Sequence, residues 1–318
     1  MKAIVYQKYG PPDVLQLSEV EKPTAGEDEV LLKVHAAAVT PTDWHFMTGE
    51  PFLARIIAGG LLSPKNKIPG IEFSGRVESV GVNATGYKPG DEVFGRSPNS
   101  GGYAEYATLP VGELWLKPAS MTFEQAAALQ FSAMTALICL VELGGIQSGQ
   151  EVLINGASGG VGTLAVQIAR HFGARVTGVC STGNLELVRS LGADQVIDYT
   201  KEDFTLDDTR HDIVFDVAGV RSFADCRRVL KPSGVFITTA FSPANLLVGK
   251  WVSLTSDQKM VPMPPIEPKP EIKKLFKSLL VAGKLEPVTD SPFPLERTAD
   301  AFRYYKNEHT RGRVVVAV

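Results

Sequence analysis

The segment Glu151-Val-Leu-Ile-Asn155-Gly156-Ala-Ser-Gly-Gly-Val-Gly162-Thr-Leu-Ala-Val-Gln-Ile-Ala-Arg170-His-Phe-Gly173 decides the fold. It opens with a short apolar run of β character and turns through glycines. It continues with apolar residues at Val161, Leu164, Ala165, Ile168, Ala169 and Phe172. Those offsets fall on one face of a 3.6-residue helix, so the pattern predicts strand, glycine turn and sheet-packed helix. Gly173 ends that helix and the alternation repeats: strand 174–180, helix 184–191, strands 195–199 and 212–217, helix 223–230, strand 235–240. Strands alternating with helices build βαβ units on a doubly wound parallel sheet, an α/β fold.

A glycine loop between strand and helix is a place for a dinucleotide. Gly156 permits the tight turn, Gly159 and Gly160 let backbone approach a pyrophosphate, and Gly162 lets the helix lie close on the strand. The N–H groups at the helix start then face the anion. The spacing is G-x-x-G-x-x-G rather than G-x-G-x-x-G, and a glycine turn that merely packs is the alternative. Ser158 and Val161 complete the candidate loop. An NAD site carries Asp or Glu after the second strand, where it accepts from the ribose 2′-OH. Here Val179-Cys180-Ser181-Thr182-Gly183-Asn184 holds no acid. That removes repulsion against a 2′-phosphate, and Ser181, Thr182 and Asn184 offer donors, so NADPH is the expected cofactor. The turn also lacks Arg and Lys. On this reading Cys180→Asp reverses the cofactor preference. Tyr199 either lies against the adenosine or is an ordinary strand-end aromatic.

Outside this block the chain changes character. Residues 1–120 are short apolar runs (AIVY, EVLLKVHAAAV, FSGRVESVG, DEVFG, YAEYATLP) cut by Gly/Pro turns, which predicts a β-barrel-like domain. The tail predicts helices over 271–282 and 295–306 and a strand over 313–318. The expected organisation is therefore 1–122 as the first part of the barrel domain, 123–262 as the nucleotide-binding domain, and 263–318 as a return to the barrel. The proline cluster VPMPPIEPKP (261–270) reads as a connection between domains.

Among 318 residues, 32 Lys and Arg against 35 Asp and Glu leave a net charge of −3, with no basic surplus for a nucleic acid. A composition of 44% hydrophobic and 21% charged residues excludes disorder and fibres. Three scattered cysteines without CxxC exclude a four-Cys zinc lobe and argue against a disulfide framework. The start MKAIVYQKYG reads as a strand rather than a signal, and the least charged stretch, 125–141, is too short and polar to span a bilayer. The expectation is a soluble, cytoplasmic protein.

The chain resembles the medium-chain dehydrogenase/reductase superfamily, in its zinc-lacking quinone oxidoreductase (zeta-crystallin-like) branch. The resemblance spans essentially the whole chain: KAIVYQKYGPPDVLQL (2–17), VTPTDWHFMTG (39–49), IPGIEFSGRVESVG (68–81), YKPGDEVFG (87–95), GGYAEYATLP (101–110), AAALQFSAMTAL (126–137), the glycine loop, SLGADQVIDY (190–199) and GRVVVAV (312–318). It implies a GroES-like barrel beside the Rossmann domain, and Thr135, Val217, Ala218, Ala240 and Phe241 near the nicotinamide. It also implies enone reduction, because TPTDWHFMTG resembles a segment of relatives with that activity. In the zinc-dependent relatives a Cys, a His and a later Cys or Asp hold the metal. The matching positions here are Thr40, Ile71 and Leu129-Gln-Phe-Ser132, and a tetrahedral site does not survive loss of all three donors. No zinc is expected.

Without a metal, hydrogen bonds must stabilise the developing oxyanion. His45 lies in the stretch that the resemblance puts near the nicotinamide and is the candidate catalytic donor; an exposed histidine without a role is the alternative. Thr40 is a weaker candidate. Tyr103, Tyr106 and His35 read as barrel packing, and the apolar loop 48–67 as a lid or a surface for a bulky hydrophobic ligand. The leading reading is an NADPH-dependent quinone or enone oxidoreductase. A metal-free alcohol dehydrogenase and an NADPH-binding protein without turnover, scaffold or crystallin-like, are the rivals. A homodimer paired through an edge strand around 258–263 is expected, although Pro262 and Pro264 weaken such a ladder.

Overall fold

The short apolar runs of the first third form strands β1 (Lys2–Val5), β2 (Gln16–Glu19), β3 (Glu29–Ala38), β4 (Glu72–Val80), β5 (Glu92–Arg96), β6 (Tyr106–Pro110) and β7 (Leu114–Leu116). Helices α1 (Pro41–Thr48), α2 (Leu53–Ile57) and α3 (Phe123–Ala127) accompany them. Then follow α4 (Gln130–Leu137), β8 (Glu151–Asn155), α5 (Gly160–His171), β9 (Arg175–Cys180), α6 (Leu185–Ser190), β10 (Gln195–Asp198) and β11 (His211–Asp216). The rest of the chain forms α7 (Phe223–Cys226), β12 (Leu230–Thr238), α8 (Pro243–Thr255), β13 (Lys259–Pro262), α9 (Pro270–Val281), β14 (Phe293–Pro294), α10 (Thr298–Asn307) and β15 (Val315–Ala317). The computed structural model describes residues 1–57, 60–240, 243–263, 267–308 and 310–318. The chain divides into two compact units, 1–131 with 287–318, and 132–286.

The first unit is built on β3, whose alternating apolar residues face a core of Val30, Leu32, Val34, Phe73, Val93, Leu109 and Phe302. β3 pairs antiparallel with β4, β6 and β15, so the C-terminal strand closes onto the N-terminal sheet. Tyr103 is fully buried there and its hydroxyl donates to the Ala38 carbonyl at 2.9 Å, as a packing residue does. His35 stacks on Phe123 with ring centroids 4.2 Å apart.

The second unit is the predicted parallel sheet, in the order β10-β9-β8-β11-β12-β13. The chain winds outward from β8 to β10, returns beside β8 as β11, and winds the other way. The order therefore reverses between β8 and β11, the point at which open α/β sheets receive ligands beyond their strand ends. Leu164, Ala165, Ile168 and Ala169 of α5 are buried, as the stripe requires.

The boundaries and some elements differ from expectation. The first unit extends to Phe131 because Ser74 Oγ donates to the Phe123 carbonyl and the Phe131 amide donates to Glu72, each at 2.6 Å. The second extends to Glu286 rather than 262, because Gln167 and the Glu286 backbone exchange hydrogen bonds of 2.9 and 2.8 Å, and Lys269 pairs with Glu142 at 2.9 Å. The proline cluster thus joins β13 to α9 within one unit; its residues 264–266 lie outside the described residues. The helix expected over 223–230 is one α-helical turn, Phe223–Cys226, continued by a 3-10 turn, Arg227–Val229, up to the start of β12 at Leu230. α8 was not anticipated by the periodicity. No helix among the described residues is long and apolar enough to cross a membrane.

Candidate active site

The strand ends of the second unit carry the glycine loop and the turns after β9, β10 and β11. Gly156 turns at φ +87°, and a Cβ there would lie 3.1 Å from the Ala218 amide nitrogen, so the glycine lets the loops after β8 and β11 meet. At Gly162 a Cβ would fall 2.0 Å from the Gly156 carbonyl oxygen and 2.8 Å from Ala157 Cα. This glycine fits the helix to its own loop rather than to the strand. Gly159 is the N-cap of α5 and makes no side-chain cap, so the first-turn amides remain for an anion. A Cβ at Gly159 would meet only the Gly156 carbonyl, at 3.6 Å, and otherwise stand in open space. Gly160 and Val161 open the helix. An open cradle with an uncapped helix start fits a dinucleotide pyrophosphate.

Asn155 and Asp216, the last residues of β8 and β11, form a pair that sequence reading missed. Asn155 Nδ2 donates to Asp216 Oδ1 at 2.8 Å, and the amides of Gly219 and Arg221 donate to the same carboxylate at 3.2 and 2.9 Å. Burial pushes the Asp216 carboxyl above its usual range while these donors favour its charge. The amides of Val217 and Ala218 fold back on the Asn155 carbonyl, and Thr239 Oγ1 donates to the Val217 carbonyl at 2.9 Å. Gly219 stands against Ala240, where a Cβ would meet Ala240 Cβ at 3.3 Å. Val217, Ala218 and Ala240 therefore share one floor. Phe241 lies outside the described residues. Thr135 is buried on α4.

At the end of β9 the expected donors are largely occupied. Asn184 Nδ2 donates to Ser158 Oγ and Ser181 Oγ at 3.3 and 3.2 Å. Thr182 Oγ1 donates to Asp198 Oδ2 at 2.6 Å. That acid arrives from the end of β10, which lies beside β9 with Asp198 opposite Cys180. Cys180 is buried and Asp198 helps to push its thiol up to about 11, so an Asp at 180 would add a second carboxylate to a closed site. Cys180→Asp is thus a destabilising change, not the clean switch expected. Tyr199 follows Asp198, and its amide donates to the Cys180 carbonyl at 3.1 Å.

In the first unit, Thr40 is the N-cap of α1. Its hydroxyl donates to Asp43 Oδ2 at 2.7 Å and accepts from the Asp43 amide at 3.1 Å. The same carboxylate accepts from the amides of Thr40, Gly70 and Ile71, each at 3.1 Å. Burial pushes the Asp43 carboxyl up to about 6 against these four donors. Thr40 therefore has no free proton for a substrate. His45 is exposed on α1, with Nδ1 2.6 Å from the Glu50 carbonyl oxygen. A carbonyl only accepts, so Nδ1 carries the hydrogen. In the neutral ring Nε2 is an acceptor; only the imidazolium donates from it. The three positions expected to lack metal ligands have other uses: Thr40 caps a helix, Ile71 is buried aliphatic, and Leu129 and Ser132 are buried without a thiol. This donor set does not fit zinc.

Family comparison finds the alcohol dehydrogenase GroES-like domain over residues 26–119 and the zinc-binding dehydrogenase family over 191–316. The second match excludes 40, 71 and 129–132, so its description brings no ligand with it. The chain is 38% identical to 2-methylene-furan-3-one reductase of Solanum lycopersicum, covering 99% of this chain and 79% of that protein. It is also 38% identical to the chloroplastic NADPH-dependent alkenal/one oxidoreductase of Arabidopsis thaliana, with the same coverage. The quinone oxidoreductase structure from Coxiella burnetii superimposes with a TM-score of 0.86 at 30% identity, over 100% of this chain and 99% of that one. With a GroES-like first unit, a Rossmann second unit and these relatives, the chain belongs to the medium-chain dehydrogenase/reductase superfamily, among its quinone oxidoreductases.

Proposed function

We propose that the protein uses NADPH, without zinc, to reduce quinones or the C=C bond of α,β-unsaturated carbonyls. The observation that carries this reading is the open glycine cradle and uncapped helix start at the β8/β11 switch point. Relatives named for the reduction of alkenals and enones, a methylene-furanone and quinones support the substrate class. Gly156, Ser158, Gly159, Gly160 and Val161 hold the pyrophosphate in this reading. Ser181, Thr182, Asn184 and Tyr199 shape the adenosine end, and Thr135, Val217, Ala218 and Ala240 the nicotinamide end. NADPH, when bound, supplies a hydride to an enone β-carbon or to a quinone.

The chain's own task is then to stabilise the oxyanion of the enolate or quinol. His45 is the proposed protein donor, acting from Nε2 as imidazolium, because Nδ1 is held by Glu50. Thr40 acts through the cap it makes with Asp43, as a positioning residue for α1. The exposed apolar residues Phe52, Leu53, Ile56, Ile57, Leu61 and Leu62 suit a hydrophobic substrate. NADPH oxidation against a panel of quinones, enones and alcohols tests the reading. It falls if metal-free protein oxidises an alcohol with NADP⁺ faster than it reduces every enone and quinone tried.

The same reading includes a cytoplasmic homodimer. The three cysteines are free and buried, which suits a reducing compartment, and cell fractionation tests it. Strand β13 is the sheet edge, and Leu247, Trp251 and Leu254 of the adjacent α8 are exposed, which supports pairing of two copies there. A monomer mass by light scattering at micromolar concentration ends that proposal.

A further inference from the structure

A 2′-phosphate is a dianion at neutral pH, and neutral hydroxyls alone hold it weakly compared with a cation. The turn after β9, residues 181–184, contains no cation. Its best donors are directed inward: Thr182 to Asp198, and Asn184 to Ser158 and Ser181. The parallel register sets Ile197 opposite Val179 and Asp198 opposite Cys180, so the turn after β10 stands beside the turn after β9. The two turns are joined by the Thr182–Asp198 bond and by the Thr182 and Thr200 hydroxyls, 3.0 Å apart.

Asp198 is buried, and its carboxylate takes the Thr182 hydroxyl at 2.6 Å, the Thr200 hydroxyl at 2.7 Å and the Thr200 amide at 3.0 Å. Those short bonds turn its charge inward and leave it unable to serve as an acceptor for a ribose diol. The remaining partner is Lys201, whose ammonium lies 3.4 Å from Asp198 Oδ2 while its side chain stays 67% exposed. Lys201 is the cation that the two adjoining turns contain. A Lys ammonium carries three protons, so one loose contact with Asp198 leaves the others pointing outward.

We propose that Lys201 reads the 2′-phosphate of the cofactor, supplying from the β10 turn the positive charge that the β9 turn lacks. This deepens the NADPH reading above and rests on it. Isothermal titration of 2′-phospho-ADP-ribose and of ADP-ribose, neither of which can turn over, separates the two claims. Wild-type protein binds the phosphorylated ligand at least about tenfold more tightly. Lys201→Ala weakens 2′-phospho-ADP-ribose about tenfold, moves ADP-ribose less than twofold, and steepens no other dependence; Lys201→Arg restores most of the loss. Raising salt erodes the wild-type preference more than that of Lys201→Ala, because the contact is between exposed charges. If wild type does not discriminate, the NADPH reading itself fails. If wild type discriminates and Lys201→Ala discriminates equally, or if both ligands weaken together, Lys201 is not the reader of the phosphate.

Discussion

Two glycines of one loop make opposite predictions, and together they test the cofactor cradle. At Gly162 an added Cβ lies 2.0 Å from the Gly156 carbonyl oxygen, whereas carbon and oxygen approach comfortably at about 3.3 Å, so the loop must shift by roughly 1.3 Å. The three nearest atoms are all backbone, so no side chain can swing away. Overpacking of this kind costs about 1–3 kcal/mol, or roughly 2–12 °C in Tm for a unit of this size. The displaced loop also loses at least one charge-assisted bond to the pyrophosphate, about 1.5–3 kcal/mol, which is about a 10–100-fold weaker Kd. At Gly159 the backbone is at φ −80° and ψ 174°, where any residue fits, and the added Cβ enters open space. Gly159→Ala therefore leaves the Tm of the cofactor-free protein nearly unchanged, because the lower entropy of the unfolded chain offsets the poorer fit of Ala at an N-cap, each about 0.5–1 kcal/mol. Its Cβ nonetheless occupies the side from which the anion approaches, so NADPH affinity falls by at least about tenfold. Thermal denaturation without cofactor and calorimetric titration with NADPH measure the two effects separately. NADPH binding by Gly159→Ala within twofold of wild type, or a Gly162→Ala protein that melts where wild type does, rules out this cradle.

Other perturbations follow from the same contacts. His45→Ala slows enone reduction, by up to the ~10²–10³-fold typical of a lost oxyanion donor. A change under twofold removes His45 from the mechanism. Glu72 is buried, with Oε2 lacking a hydrogen-bond partner, and burial pushes its carboxyl from 4.5 up to about 7. A folded-state value above the unfolded one means the Glu72 contribution to stability is greatest below about pH 4.5 and is lost as pH rises toward 7, by up to about 3 kcal/mol. Glu72→Gln flattens the Tm–pH curve in that window, and an unaltered slope contradicts the assignment. Wild type prefers NADPH to NADH by at least about tenfold in kcat/KM, ~1.4 kcal/mol. Equal use of both cofactors sinks the reading of the 181–184 turn, and Cys180→Asp lowers Tm rather than inverting the preference.

Periodicity and punctuation alone reach the parallel sheet, because each strand, glycine turn and amphipathic helix between Glu151 and Thr238 is a local pattern. The same local signals mark Gly156–Gly162 as an anion cradle, while it is the family resemblance that picks out residues 40, 71 and 129–132 as positions without zinc ligands. They do not reveal α8, whose Leu247, Trp251 and Leu254 stay exposed while Val252 is buried, so no single apolar stripe appears along it. They also do not reveal which polar groups are already engaged. Thr40, Thr182 and Asn184 read as available donors, yet each gives its proton to a protein acceptor. Asp43 grips amides 27 and 28 residues away, Asp216 takes Asn155 from 61 residues away, and Asp198 reaches the β9 turn from the next strand. Sequence order fixes which chemical groups exist; only the paired strands decide which of them face one another and which remain for a ligand.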